Sequence, residues 1–269
     1  TIGIAAGLNN FATDNLSALK ALMYDGVTPA PTDDEASKLI NFVRGQDSYD
    51  ENNDSQTTDQ RDWKLGDIYH SEMAIVGPPK AIDTELAGDS KTEEYFKLQN
   101  GYQAFIDANA SRDTIIYVGA NDGMLHAFKD SNDDKGEELW GFIPPNVLPK
   151  LRSMLSGFEG VTNPIYGVDG SPVVKDIYYG GQWRTVLMAG LGREGYGYFA
   201  LDVTNPLSPS FLFAFENDPQ NEVIRHWASN GTYTQQNYSS VSSNYNYKKL
   251  GEALATPTIF LISDGGSQK

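Results

Sequence analysis

Over the first 45 residues the apolar side chains recur at helical spacing. Leu16, Leu19, Leu22 and Met23 share one face, which predicts a helix over 13–24 with Gly26 just beyond its end. Pro29 and Pro31 interrupt the chain. Thr32 followed by Glu35 is a capping-box pattern, and Ala36, Leu39, Ile40 and Val43 extend from it as one apolar stripe, so a second helix is predicted from Thr32 to about Gly45. The polar, acidic run from Asp47 to Asp62 reads as an exposed loop.

From Trp63 the period shortens to that of strands. Runs at 73–77, 114–120, 124–128, 138–143, 171–179, 184–191, 198–203, 210–215 and 256–262 are predicted to be extended. Turn residues separate them: Asn121-Asp122-Gly123, Gly180-Gly181, Gly195 to Gly197, and Asn205-Pro206. Short strands joined by tight turns predict antiparallel sheet. A weak repeat runs through them. "IIYVGA–NDG–MLHAF" then "ELWGFI" parallels "TVLMAGL–GREGYG–YFALDV" then "SFLFAF", and each unit follows a strand opened by a small hydroxyl residue, Ser71, Ser171 or Thr256. Four-strand units of this kind build propeller blades. The expectation is therefore an all-β, partial β-propeller at 61–269, with two blades and the start of a third, behind a helical N-terminal segment at 1–60 that carries the acidic loop. Both ends read as internal to a longer precursor. The first unit carries an insertion at 80–113, helical near 90–108. The Ser/Asn/Tyr-rich stretch 226–247 reads as a mobile or adhesive surface loop.

Composition narrows the function. The chain has 269 residues, no cysteine and a formal charge of −16. So acidic a chain is a poor partner for nucleic-acid phosphates or anionic lipid and suits a cation. Without cysteine there are no disulfides, thiolate metal sites or thiol nucleophiles. No apolar run reaches the length of a membrane helix.

The sharpest chemical signal is the loop Asp130-Ser-Asn132-Asp-Asp134-Lys-Gly136-Glu-Glu138. Asp130, Asn132, Asp134 and Glu138 place side-chain oxygens at positions 1, 3, 5 and 9, and Gly136 offers a carbonyl at position 7. That is the calcium spacing of an EF-hand loop, although Lys135 stands where that loop has glycine. Asp50, Asn52 and Asp54, with Thr58 at position 9, form a weaker set. Both can equally be solvated acidic turns. Gly190-x-Gly192-x-x-Gly195 matches a dinucleotide fingerprint, but a strand follows it where the fingerprint needs a helix, so it predicts a hairpin. His70, His126 and His226 show no metal spacing. His126 sits inside a strand and reads as a packed residue. No acid, base and oxyanion donor assemble.

Several long motifs, taken in order, resemble one family. "WKLGDIYHSEMAIVGPP", "IIYVGANDGMLHAF" with "ELWGFIPPNVLPKL", "YGVDGSPVVKDIYY" and "WRTVLMAGLGREGYGYFALDVTNP" are similar to the propeller of PilY-type (PilC-type) adhesins of bacterial type IV pili. The chain departs from that pattern at Glu72, where proline is common, and in a longer loop at 129–138. The resemblance implies a modified propeller at the pilus tip, exported to the cell surface and sensitive to calcium. It also implies contact with minor pilins and with a host or abiotic receptor, in a non-enzymatic role in pilus assembly and attachment. The rival reading from another class is a quinone-dependent dehydrogenase on a similar propeller. A third is a scaffold with no receptor of its own.

Overall fold

The computed structural model describes residues 2–4, 11–24, 26–27, 29–130, 134–155, 165–193, 195–230, 232–242, 246–261, 263–264 and 267–268. A 3-10 turn at Thr13–Asn15 leads into α1 (Leu16–Met23), and α2 spans Asp33–Val43. The capping box forms as the sequence predicts. Thr32 Oγ1 accepts from the Glu35 N–H at 3.2 Å, and Glu35 Oε2 accepts from the Thr32 N–H at 2.6 Å. The Thr32 N–H and, at 2.8 Å, the Thr32 hydroxyl both donate to Glu35 Oε2 and hold the Glu35 carboxyl below its ordinary pKa. α2 buries Ala36, Leu39, Ile40, Phe42 and Val43. Together with Leu19 and Met23 they join one hydrophobic cluster that also holds Ile143, Leu148 and Leu151. The last two lie on a 3-10 stretch, Leu148–Leu155, against which the helices pack. The helical segment is thus docked on the first sheet by apolar burial.

The strands form two main sheets. β2 (Ala74–Val76), β3 (Ile115–Gly119), β4 (Leu125–Lys129) and β5 (Glu138–Ile143) are a sequential antiparallel meander, with β1 (Ile2–Ile4) added parallel to β5 at the outer edge. β6 (Val173–Tyr179), β7 (Gln182–Gly190), β8 (Gly197–Asp202), β9 (Ser210–Asp218), β10 (Val223–Ala228) and β11 (Tyr233–Asn237) make a second meander of six. A short hairpin, β12 (Ser263–Asp264) with β13 (Ser267–Gln268), ends the chain's described part. The repeat seen in the sequence is geometric. In each unit the register shifts between the third and fourth strands, at Ala127/Phe128 and at Ala200/Leu201. Such bulges sharpen the local twist that a blade needs.

The structure differs from expectation in three places. Residues 256–261 are not in a strand. β1 has no counterpart in the sequence reading, because three residues carry no period. Part of 226–247 is strand rather than loop, since β10 and β11 pair across Val223↔Asn237 to Trp227↔Tyr233. β11 reads Tyr-Thr-Gln-Gln-Asn and has no apolar alternation. Its conformation comes from backbone bonds to β10, which composition does not report.

The two sheets meet at a seam. Ser71 Oγ accepts from the Gly119 N–H at 2.9 Å and donates to the Gly170 carbonyl at 3.4 Å, while the Glu72 N–H donates to Ser171 Oγ at 3.0 Å. The hydroxyl residues that open the two units therefore bind across to each other's strand. Proline at position 72 could not make the third of these bonds. The insertion clamps the same seam from outside. α3 (Glu93–Gln99) and α4 (Tyr102–Ala108) lie over β6 and β7, with Lys175 Nζ 2.6 Å from Glu93, the Tyr102 hydroxyl 2.5 Å from Asp176 and Trp183 Nε1 2.8 Å from the Asn100 carbonyl. Phe142 of β5 packs on Phe199 of β8, and Trp140 Nε1 donates to the Pro206 carbonyl at 2.7 Å.

Backbone meets backbone so closely here that side chains are excluded. A Cβ on Gly119 would lie 2.0 Å from the Val168 carbonyl oxygen. Gly119→Ala should therefore cost about 3 kcal/mol or more in urea unfolding, because the rigid carbonyl cannot move aside. Gly88→Ala, with nothing within 4 Å, should stay within about 0.5 kcal/mol of wild type. Equal losses at the two positions would show that the seam is not tight.

Candidate functional site

At one end of the first sheet two sequence features meet, the β3–β4 turn and the acidic 47–62 loop; the β4–β5 loop lies at the opposite end of β4, where the Asp130 N–H donates to the Thr114 carbonyl at 2.8 Å. The turn carries Asp122, which is buried. Its Oδ2 accepts from the Gly66 N–H at 2.8 Å and its Oδ1 from the Met124 N–H at 3.0 Å. His126, four residues further on in β4, is 3% exposed. Its Nε2 lies 3.1 Å from Asp122 Oδ2, and its Nδ1 lies 2.6 Å from Glu138 Oε1. A carboxylate on each ring nitrogen requires both nitrogens to carry protons. Burial alone pushes the imidazolium down, but the hydrogen bonds and charges of Asp122 and Glu138 outweigh it and raise the pKa to about 9. An imidazolium with both N–H groups engaged has no lone pair. It can serve neither as a metal ligand nor as a general base. It pins the turn, β4 and the start of β5 together.

The primary loop residues are placed as follows. Asp130 Oδ1 lies 3.7 Å from Lys135 Nζ, and Asp134 Oδ2 lies 3.3 Å from Lys129 Nζ. The Asp134 hydrogen bond is the main cause of a raised Lys129 pKa. Gly136 turns the chain at φ +86, and its N–H donates to the Lys129 carbonyl. Glu138 faces His126. Asn132 lies outside the described residues. Lysines and a histidine thus occupy the carboxylates that the spacing offered to a cation, and those carboxylates do not converge. In the weaker set, Asp50 accepts from the Ser55 N–H at 3.1 Å and Asp54 from the Gln56 N–H at 2.8 Å, while Asn52 Nδ2 donates to Asp54 at 3.3 Å. Their oxygens hold a run of tight turns. Among the described residues, no group of three or more His, Asp or Glu side chains is arranged to hold a metal ion.

Sequence reasoning missed the strap that crosses this end. Residues 62–67 lie over the β3–β4 turn, with the Asn121 N–H donating to the Asp67 carbonyl at 3.0 Å and Asn121 Nδ2 to Asp67 Oδ2 at 3.1 Å. Between strap, turn and acidic loop lies a cleft of about 440 Å³. The one signal available in the sequence was Trp63, an indole inside a polar run. The glycine cluster at 190–195 joins β7 to β8 as a hairpin, with Gly190 opposite Tyr198, so no helix N-terminus is present there to hold a phosphate.

The His126 pin makes stability depend on pH. A histidine whose folded pKa lies above its ordinary 6.5 stabilises fully below 6.5, and the contribution is lost as pH rises through about 9. In chelator, wild type should lose roughly 3 kcal/mol across that window. His126→Gln should be less stable at pH 6 and should lack this slope. Parallel pH profiles for the two proteins would refute the pin.

With this geometry established, the relatives can be placed. The PilY1 beta-propeller domain family matches residues 65–257. The type IV pilus biogenesis factor PilY1 of Pseudomonas aeruginosa PAO1 is 37% identical over 221 residues, covering 81% of this chain and 18% of the relative. A PilY1 homolog from Xylella fastidiosa is 40% identical over 181 residues, 66% of this chain and 14% of the relative. The crystal structure of the P. aeruginosa PilY1 C-terminal domain is 34% identical, covers 59% of this chain and 27% of that one, and superposes with a TM-score of 0.40. The chain thus spans under a fifth of the length of these curated relatives. A match across residues 65–257, carried by blade-like meanders with seam glycines and hydroxyl openers, places the chain in the PilY1 β-propeller domain family.

Proposed function

We propose that this chain is the propeller portion of a type IV pilus biogenesis factor that works through its surfaces, as a tip-associated adhesin, and not by catalysis. The observation that carries the reading is the family match over 65–257 together with relatives named as type IV pilus biogenesis factors. The structure is in keeping with it. The buried polar groups around His126 hold strands in place, and among the described residues its ring nitrogens face the carboxylates of Asp122 and Glu138. Among the described residues no helix is long and apolar enough to cross a membrane, which suits a domain exported to the pilus tip. The partners are minor pilins on one side and a host or abiotic surface on the other.

Piliation tests the role. A strain lacking the full-length protein should lose most surface pili. The intact protein should restore them, and a form without 65–257 should not. Normal piliation by the shortened form would overturn the reading. A quinone absorption band in the purified full-length protein would move the assignment to the enzyme class.

Calcium is proposed as the modulator of the β4–β5 loop through Asp130, Asn132, Asp134, Glu138 and the Gly136 carbonyl. Binding must draw Asp134 from Lys129, Asp130 from Lys135 and Glu138 from His126. That competition argues for a weak site, of the order of 10⁻⁴–10⁻³ M. Added calcium at a hundredfold excess should raise stability by about 2.7 kcal/mol in wild type. Asp134→Ala should abolish the rise, and Asp133→Ala should leave most of it. Equal responses would move the ion to another site, with Asp50, Asn52 and Asp54 the next to substitute.

A further inference from the structure

The pattern Asn-x-Ser/Thr, with x other than proline, occurs at Asn15, Asn53, Asn109, Asn230 and Asn237. In exported proteins it is the acceptor of oligosaccharide transfer to asparagine. Two of the five also carry an acid two residues before the asparagine: Glu51 before Asn53, and Asp107 before Asn109. The structure separates these two. The Glu51 side chain is 24% exposed and held by Arg61 at 3.0 Å, and Asn53 sits in a tight turn at φ +60. Residues 107–111 instead run off the C-terminal end of α4, on the insertion that lies outside the seam. Asp107, Ala108, Ala110 and Ser111 are exposed, and Asn109 is partly so. Asn109 caps the helix: its backbone N–H and its Nδ2 both donate to the Phe105 carbonyl, at 3.2 and 2.8 Å. Asp107 accepts from Gln103 Nε2 at 2.8 Å on the helix surface. Arg112, the next residue, donates to the Gly77 carbonyl at 3.1 Å and to the Thr185 hydroxyl at 2.7 Å, so the segment stands on a fixed base.

We propose that Asn109 is an N-glycosylation acceptor, modified by an oligosaccharyltransferase that reads Asp107 and Ser111 on either side of it. In the transfer, Asn109 Nδ2 attacks the anomeric carbon of an oligosaccharide carried on a lipid diphosphate. A C–N bond replaces the C–O bond to phosphate, the lipid diphosphate leaves with that electron pair, and an Nδ2 proton passes to a base of the enzyme. An amide nitrogen is a poor nucleophile because its lone pair is delocalised into the carbonyl, so the enzyme must hold the amide and its flanks in one geometry. The Ser111 hydroxyl, donor and acceptor at once, gives it one handle. The Asp107 carboxylate gives a cationic side chain a second. Both handles are exposed here. The asparagine is released with little disturbance to the fold: when Nδ2 leaves, the Phe105 carbonyl keeps the Asn109 backbone N–H, at a helix end of the kind that frays. The other four tripeptides lack the combination. Thr13, Ala228 and Gln235 stand where Asn15, Asn230 and Asn237 would need the acid, and at Asn53 the acid is already paired. The proposal rests on export of the chain, part of the function proposed for it.

The test takes the full-length protein from the surface fraction of its native cells, digests it with trypsin and reads the peptides by mass spectrometry with electron-transfer fragmentation. The tryptic peptide 98–112 contains Asn109 and no other such tripeptide. It should carry an oligosaccharide on Asn109 and release sugar oxonium ions, while the peptides holding Asn15, Asn230 and Asn237 stay bare. Asp107→Asn should lower the occupancy about tenfold, the loss of one charge-assisted contact, and Asp107→Glu should keep it. Ser111→Ala should abolish the modification, and Ser111→Thr should keep it. Asp107 and Ser111 are exposed, so these variants leave the fold intact. A bare 98–112 peptide in exported protein, equal occupancy in Asp107→Asn, or a glycan on Asn230 or Asn237 in place of Asn109 would each overturn the proposal and leave export standing. Protein retained in the cytoplasm would overturn both.

Discussion

The close approach of backbone to backbone where the two sheets join sets the terms for everything around it. The end of β3 at Gly119 presses on the Val168 carbonyl, and the end of β7 at Gly190 presses on the Ala253 carbonyl, 2.7 Å from where a Cβ would be. The two units repeat the contact, so it belongs to the architecture and is not a local accident. With side chains excluded, polar backbone groups at the seam must be satisfied from nearby, because an orphaned buried N–H is costly. Ser71 and Ser171 do this with hydroxyls short enough to fit. The Phe142–Phe199 ring pair, the Trp140 hydrogen bond to the Pro206 carbonyl, and the clamp of α3 and α4 can form only once the sheets are this near.

Polar groups buried within the blades follow the same logic. Arg225 on β10 lies 2.6 Å from Glu216 and 2.8 Å from Asp218 on β9. Burial raises the Glu216 carboxyl, and the guanidinium opposes that effect. Asp202 sits between Arg184 and Thr204, whose hydrogen bonds outweigh its desolvation and hold its pKa low. His126 is the third such pin. Each ties one strand to its neighbour, and each uses up the groups that could otherwise have reacted. A fold that stabilises its strands this way leaves its chemistry to loops and surfaces.

The acidic charge is then distributed on the outside. In the β4–β5 loop, Lys129 answers Asp134 and Lys135 answers Asp130. In the acidic 47–62 loop, backbone N–H groups of its own tight turns hold Asp47, Asp50 and Asp54, and Arg61 holds Glu51. The two acidic regions, alike in composition, are therefore held by different partners.

Much of this was legible in the chain. Helical spacing and the Thr32–Glu35 box located α1 and α2, since both signals are local. Alternation and turn residues located β3 to β9 and the repeat, because a half-buried strand writes its period into the sequence. His126 could be read as packed, but not as pinned. Its partners Asp122 and Glu138 lie on either side of it in the chain, and only the pairing of β4 with β5 turns them inward. Calcium spacing could be counted along 130–138, but spacing says nothing of Lys129 and His126, which the sheet brings to the same carboxylates. β11 left no trace, for its reason to be extended is another strand's backbone. The Trp63 cleft left only an out-of-place indole, because its walls come from the 47–62 loop, the strap and the β3–β4 turn. The sequence alone determined which segments are helix, strand and turn, through short-range periodicity. Which side chains meet across 50 or 100 residues was decided by the tertiary structure, because the seam's excluded volume, and no local preference, sets how the sheets come together.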